Sequence, residues 1–380
     1  MATQILTTQL YYGGHEYTTT ATMRVMNPAK PSDLIGEAAS ATANQALEAV
    51  AAAKAAFPEW AATPPKRRAE MLLAASETVM NNAETEAALL SGENGKVVGE
   101  STFDLMGLAQ RTELACGLAD QVDAVDTLPG PPTETLVTHK PMGVVTVIVP
   151  FNWPIAILGA SMPYALMAGN TVIVKPPPSA PLAITRAVQR MAEKLPAGVL
   201  NVVTGEDAEI GSALVSNTDV AKVCFTGSVN GGKRIMSMAA ETLTNVLLEL
   251  GGNDAVLILQ DAEFTTENMD ALFGGIYGST GQICMNAKRI YVHASKKQEL
   301  IDELTARLEQ VKLGPASDPE TTMGPLHQRS QLEYVNELVQ EAKDSGAEVH
   351  EFGELPTGAW AGGNFVRPSL IIDPDPELRV

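Results

Sequence analysis

The stretch Val144-Val145-Thr146-Val147-Ile148-Val149-Pro150-Phe151-Asn152-Trp153-Pro154 decides how this chain folds. Its first six residues are apolar or β-branched with no polar alternation, the pattern of a short strand buried on both faces, and Pro150 ends it. Asn152 therefore leaves a strand's carboxyl end. A side-chain amide there either donates a hydrogen bond to an oxyanion or serves as an ordinary turn residue. A second run, Thr171-Val172-Ile173-Val174, delivers Lys175 and is stopped by Pro176, Pro177 and Pro178. Lysine at such a strand end suits a ribose or a phosphate. Further strands are expected over 199–203 and 220–225, alternating with helical segments in βαβ fashion. The last of them runs into Thr226-Gly227-Ser228-Val229-Asn230-Gly231-Gly232-Lys233. Glycines between a strand and a helix start let backbone N–H groups approach a pyrophosphate, and they also serve close packing.

Downstream, Cys284 sits in Gly281-Gln282-Ile283-Cys284-Met285-Asn286, 35 residues after Glu249 in Leu248-Glu249-Leu250-Gly251-Gly252. Attack on a carbonyl needs thiolate, and a free cysteine is little ionised near neutral pH. A carboxylate able to take a proton from the thiol or from water is therefore chemically meaningful. Alone, such a cysteine is more often a small buried apolar residue than a nucleophile.

These motifs, in this order, resemble the aldehyde dehydrogenase superfamily. The resemblance runs through Pro150-Phe151-Asn152-Trp153-Pro154, Gly169-Asn170-Thr171-Val172-Ile173-Val174-Lys175-Pro176, Phe225-Thr226-Gly227-Ser228, Glu249-Leu250-Gly251-Gly252-Asn253, Gly281-Gln282-Ile283-Cys284 and Met323-Gly324-Pro325-Leu326. It implies an α/β fold: a Rossmann-like dinucleotide-binding domain (1–120 and 142–250), an oligomerisation hairpin (121–141) and a second α/β catalytic domain (251–380). It implies that Cys284 forms a thiohemiacetal with an aldehyde, that the Asn152 amide and the Cys284 N–H hold the oxyanion, that hydride passes to NAD or NADP, and that Glu249 activates the water that hydrolyses the thioester. Lys175 is implied to bind the adenosine ribose and to support the site near Asn152. The remaining cofactor contacts implied are Val149, Pro150, Phe151, Pro178, Gly211, Phe225, Thr226, Gly227, Ser228, Leu250 and Gly251, while Trp153 and Ile283 join Asn152 and Cys284 against the substrate. The implied partners are a small-molecule aldehyde and further copies of the chain, as a homodimer or homotetramer.

Two departures from the family pattern bear on function. Many members read Lys-Pro-Ser-Glu where this chain reads Lys175-Pro176-Pro177-Pro178, so the carboxylate that meets the adenosine ribose and repels a 2′-phosphate is missing there. NADP is therefore expected to be accepted. The second is at the end, where Val380 comes just after Asn364-Phe365-Val366-Arg367-Pro368-Ser369-Leu370-Ile371-Ile372-Asp373, the stretch that the family follows with a Glu-rich segment ending in Phe-Gly-Pro. The expectation is a shortened catalytic domain. It leaves open an acylating enzyme that uses coenzyme A, or a non-catalytic fragment of the same fold; Glu249 favours hydrolysis.

Composition narrows the class. With 26 basic and 45 acidic residues, the net charge of −19 argues against a nucleic-acid partner. Three scattered cysteines do not make a disulfide framework, and reduced thiols in the cytoplasm are the simpler reading. The isolated histidines show no ligand spacing, so no metal is expected. No basic segment followed by an apolar core opens the chain, so no secretory signal is expected. The uncharged stretch 141–174 is broken by Pro141, Pro150, Pro154 and Pro163, which suits a parallel-sheet core and not a membrane span. Helices are expected over 42–57, 66–81, 265–280, 296–311 and 332–345, a strand over 288–293, and an exposed strand over 133–139 beyond the Pro129-Gly130-Pro131-Pro132 turn.

Overall fold

The computed structural model describes residues 5–379. It contains two compact units. The first takes the chain up to Val25, Ile35–Leu90 and Ser101–Leu250; the second takes Met26–Leu34, Ser91–Glu100 and Gly251 onward.

A seven-stranded sheet organises the first unit. Its parallel strands stand in the order Asn245–Leu250, Val220–Gly227, Val144–Ile148, Thr171–Lys175, Leu200–Val202. Leu10–Tyr12 and His15–Tyr17 extend the far edge antiparallel. From Val144 the chain steps outward to Leu200, then returns to Val220 on the other side. This reversal is a topological switch point, and the ligand crevice of such sheets lies there, outside the strands' carboxyl ends.

Successive side chains leave a strand on opposite faces, so each central strand feeds two cores. Val145, Val147, Val172, Val174, Leu200 and Val202 pack with Trp60, Leu72, Leu105, Leu108, Ile184 and Val188. Val144, Ile148 and Ile173 pack on the other face with Ala46, Ala49, Val50, Ile210, Leu214 and Ile235. Every residue of Val144–Ile148 and Thr171–Lys175 is buried, as the unbroken apolar runs require. Each buried Val, Leu or Ile contributes about 1.5–3 kcal/mol. The helix Ala43–Ala62 starts on a Thr42/Gln45 capping box.

Two antiparallel strands, Val125–Gly130 and Thr133–Thr138, form a hairpin exposed along its whole length. Among the described residues no helix is long and apolar enough to cross a membrane.

In the second unit, Asp254–Ile258 and Ala287–Val292 pair in parallel, joined through the helix Thr266–Tyr277. Ile258, Met269, Ile276, Leu300 and Leu304 make its core. The helices Lys297–Leu308 and Arg329–Asp344 and the antiparallel pair Glu348–Glu351 and Ser369–Ile372 complete it. Segment Ser91–Glu100 packs tightly here: a Cβ on Gly324 would fall 2.0 Å from the Gly95 carbonyl oxygen.

One expected boundary is corrected. The helix expected to reach Thr280 stops at Tyr277, because Gly278 leaves the helix with a ψ of 140°; Ser279 and Thr280 then take left-handed angles (φ 52° and 56°) and Gly281 follows at 73°.

Candidate active site

At the carboxyl ends of the first unit's sheet stand four of the expected groups. Lys175 closes its strand opposite Ile148, and the Val149 N–H donates to the Lys175 carbonyl at 3.4 Å. Asn152 lies, half-buried, in the bend between Ile148 and the helix Pro154–Gly159. That helix is held by a residue the sequence did not signal: fully buried Asp104 accepts from the Ala156 N–H in the first turn, and Arg111 donates to the Ala156 carbonyl. Glu249 stands opposite Thr226 and is exposed.

Lys175 is 2% exposed, and its ammonium pairs with Asp207 on the first turn of the helix Asp207–Val215. Pro178 offers no carboxylate, so Asp207, from a different element, brings one to this strand end.

The glycine turn shows why each glycine is present. A Cβ on Gly227 or Gly231 would stand 2.6 or 2.7 Å from the Phe225 ring, and one on Gly232 2.7 Å from Leu250. Packing against these side chains draws the helix Val229–Ala240 onto the sheet. Ser228 caps it, its Oγ accepting from the Gly231 N–H at 3.0 Å. The first-turn N–H groups of a helix have no intrahelical partner, and here they gather at the switch point, where such groups take an anion. These residues fit a dinucleotide's pyrophosphate. Gly211 is buried on the helix that begins with Asp207.

Cys284 belongs to the second unit and is exposed, whereas Cys116 and Cys224 are buried. Burial pushes the Cys116 thiol up to about 11 and raises that of Cys224 as well. The loop carrying Cys284 is tied down on both sides. Ahead of it, the Ser279 N–H donates to Glu100 at 2.6 Å and the Thr280 hydroxyl to the Gly324 carbonyl at 3.0 Å. Gln282 donates to the Ser279 carbonyl at 3.1 Å and accepts from the His327 N–H at 3.0 Å. Behind it, buried Asn286 donates to the carbonyls of Ile276 and Gly278 at 3.1 and 3.2 Å, closing the end of the preceding helix. These bonds sustain two non-glycine residues in the left-handed region, which costs roughly 1–2 kcal/mol each. Gly252, three residues after Glu249, approaches the loop closely: a Cβ there would lie 3.3 Å from the Cys284 carbonyl oxygen.

Two titratable groups support the loop without having been expected. Burial raises the Glu100 carboxyl above its ordinary value, against the Ser279 N–H and the Lys96 charge. His327, 6% exposed, donates from Nδ1 to the Asn94 carbonyl at 3.3 Å, and burial holds its imidazole down to about 4. Among the described residues no group of His, Cys, Asp and Glu side chains is placed to hold a metal.

The first unit thus carries a Rossmann-type switch point whose helix start suits a dinucleotide, and the second unit carries an exposed cysteine on a constrained loop. The model of the aldehyde dehydrogenase family matches residues 16–380. The α-ketoglutarate semialdehyde dehydrogenase of Haloferax volcanii is 34% identical over 362 residues, which cover 94% of this chain and 74% of the relative. Among solved structures, that of a 3,6-anhydro-L-galactose dehydrogenase in complex with NAP superposes with a TM-score of 0.91 at 30% identity, over 98% of this chain and 79% of the other. PnpE in complex with nicotinamide adenine dinucleotide gives 0.89 at 33% identity, over 96% and 76%. The chain belongs to the aldehyde dehydrogenase family and is an NAD(P)-dependent enzyme of that class.

Proposed function

We propose that the chain oxidises an aldehyde to its carboxylic acid with Cys284 as nucleophile. The observation that carries this reading is the contrast among the three cysteines: two are buried with raised thiols, and Cys284 alone is exposed. Its thiolate adds to the aldehyde carbon, and the carbonyl electrons move onto oxygen. The Asn152 amide and the Cys284 N–H are the donors assigned to that oxyanion. When bound, NAD or NADP supplies the hydride acceptor. Val149, Pro150, Phe151, Lys175, the 225–228 turn, Leu250 and Gly251 are the residues assigned to hold it, with Gly211 and Pro178 at the adenosine side. Glu249 takes a proton from the water that cleaves the thioester, which releases the acid and restores the thiol. Trp153 and Ile283 are assigned to the substrate's walls. The exposed hairpin is assigned to contact with a second copy, which sedimentation of the purified chain as a monomer would refute.

The relatives' names direct the choice of substrate to polar, oxygen-bearing aldehydes such as α-ketoglutarate semialdehyde. The test is reduced-nicotinamide absorbance with a panel of such aldehydes and simple aliphatic ones, with each cofactor, in the wild type and Cys284→Ala. Turnover that Cys284→Ala abolishes supports the proposal. Turnover that survives in the variant, or none with any pair while cofactor binds, overturns it. Release of free acid without coenzyme A separates hydrolysis from acyl transfer.

A further inference from the structure

We infer that Glu100 is a positioning residue for the nucleophile loop: its carboxylate holds the Ser279 N–H and thereby fixes the left-handed run that sets Cys284. This rests on the reading of Cys284 as nucleophile. Left-handed angles at Ser279 and Thr280 are outliers for residues with a Cβ, and they persist only where the surroundings over-determine them. The helix Thr266–Tyr277 ends immediately before, with Gly278 donating to the Gly274 carbonyl. Gly278, with a ψ of 140°, breaks the helix, and the left-handed angles that follow at Ser279 need an acceptor for its N–H that is fixed from outside the loop. Glu100 supplies the acceptor at 2.6 Å, a short bond to a charged group and so a strong one. It does so from the start of the helix Val98–Cys116, 179 residues earlier in the chain. Burial makes the geometry firm. Neighbouring Lys96, 1% exposed, holds a compensating charge on the same segment. Thr280 and Gln282 continue the restraint toward Cys284 through the Gly324 carbonyl, the Ser279 carbonyl and the His327 N–H.

The test uses the full chain in four forms: wild type, Glu100→Ala, Glu100→Gln, and Glu100→Ala combined with Ser279→Gly. Glutamine keeps a carbonyl oxygen that accepts the Ser279 N–H. Glycine adopts left-handed angles without penalty, so it restores the turn when the anchor is gone. Two readouts are taken: kcat and KM with the best aldehyde, and the rate of Cys284 carboxamidomethylation by iodoacetamide, followed by peptide mass. The second does not depend on turnover, so a failure of the aldehyde dehydrogenase reading and a failure of this inference are distinguishable. Glu100→Ala is expected to lower kcat about tenfold or more at unchanged cofactor KM, and to change the alkylation rate at least about fivefold. Glu100→Gln is expected within about threefold of the wild type on both, and the double variant to recover most of the loss. If Glu100→Ala matches the wild type in kcat and alkylation, or if Glu100→Gln is as impaired as Glu100→Ala, the inference is wrong. Should Glu100→Ala fail to fold, the outcome rests on the other two: a folded double variant with restored alkylation supports it, and an impaired Glu100→Gln overturns it.

Discussion

Acid should weaken the second unit through His327. An imidazole that ordinarily protonates near 6.5 and here only near about 4 leaves the folded state short of a proton that the unfolded chain takes up readily. The folded value is depressed, so the stability is fully present above about 6.5 and is lost as the pH falls toward about 4. Each tenfold difference in proton affinity is about 1.4 kcal/mol, so the full loss is on the order of 3 kcal/mol. Burial is the cause, and the bond from Nδ1 to the Asn94 carbonyl opposes it. Glu100 acts in the opposite sense. Its raised carboxyl takes a proton in the folded state first, so lowering the pH through that region adds stability. The wild-type curve is therefore a sum, and the His327 share is isolated by subtraction. Urea unfolding, followed by tryptophan fluorescence at pH 7.5, 6.0, 5.0 and about 4.5, would be compared between the wild type and His327→Gln, whose amide still donates to the Asn94 carbonyl. The variant should lose about 2 kcal/mol less than the wild type over this range. Parallel pH dependences in the two proteins would refute the reasoning.

Two further outcomes follow from close contacts. Gly324→Ala would drive a Cβ to 2.0 Å from the Gly95 carbonyl oxygen, so it should lower the melting temperature by about 5 °C or more in calorimetry; an unchanged melt would show that the two backbones separate freely. Asp207→Asn removes the carboxylate paired with Lys175. If the adenosine ribose binds at Lys175 as proposed, the ratio of kcat/KM for NADP over NAD should rise about fivefold, because a charge that would repel a 2′-phosphate there is lost, and a constant ratio in the steady-state assay would place that phosphate elsewhere.

The central sheet was legible because its signals are local. Unbroken apolar runs ending in proline at Val144–Ile148 and Thr171–Lys175 state both burial and direction, so the positions of Asn152 and Lys175 at the strand ends followed. The glycines of 227–232 were legible as a turn, but their tight packing against Phe225 and Leu250 depends on tertiary neighbours. What the sequence withheld is long-range. Nothing local to Asp207 announces Lys175, and nothing in Glu100 announces Ser279, 179 residues on. The left-handed turn was hidden for a further reason: serine and threonine carry no signal for positive φ, although Gly278 just ahead of them is a helix-stop residue.

The interleaving of the two units has a practical consequence for dissecting the chain. Met26–Leu34 and Ser91–Glu100 belong with the residues after Gly251, although they lie well upstream in sequence. No single cut therefore separates two self-sufficient halves. A fragment ending at Leu250 would carry Asn94 and Glu100 without His327 and Ser279, and a fragment starting at Gly251 would present the cysteine loop without the carboxylate that holds it. Ribosomal synthesis meets the same constraint. Ser91–Glu100 emerges long before Ser279, so Glu100 waits for its partner until the cysteine loop has been made. Protein made from split genes should recover an ordered Cys284 only when both pieces are present together.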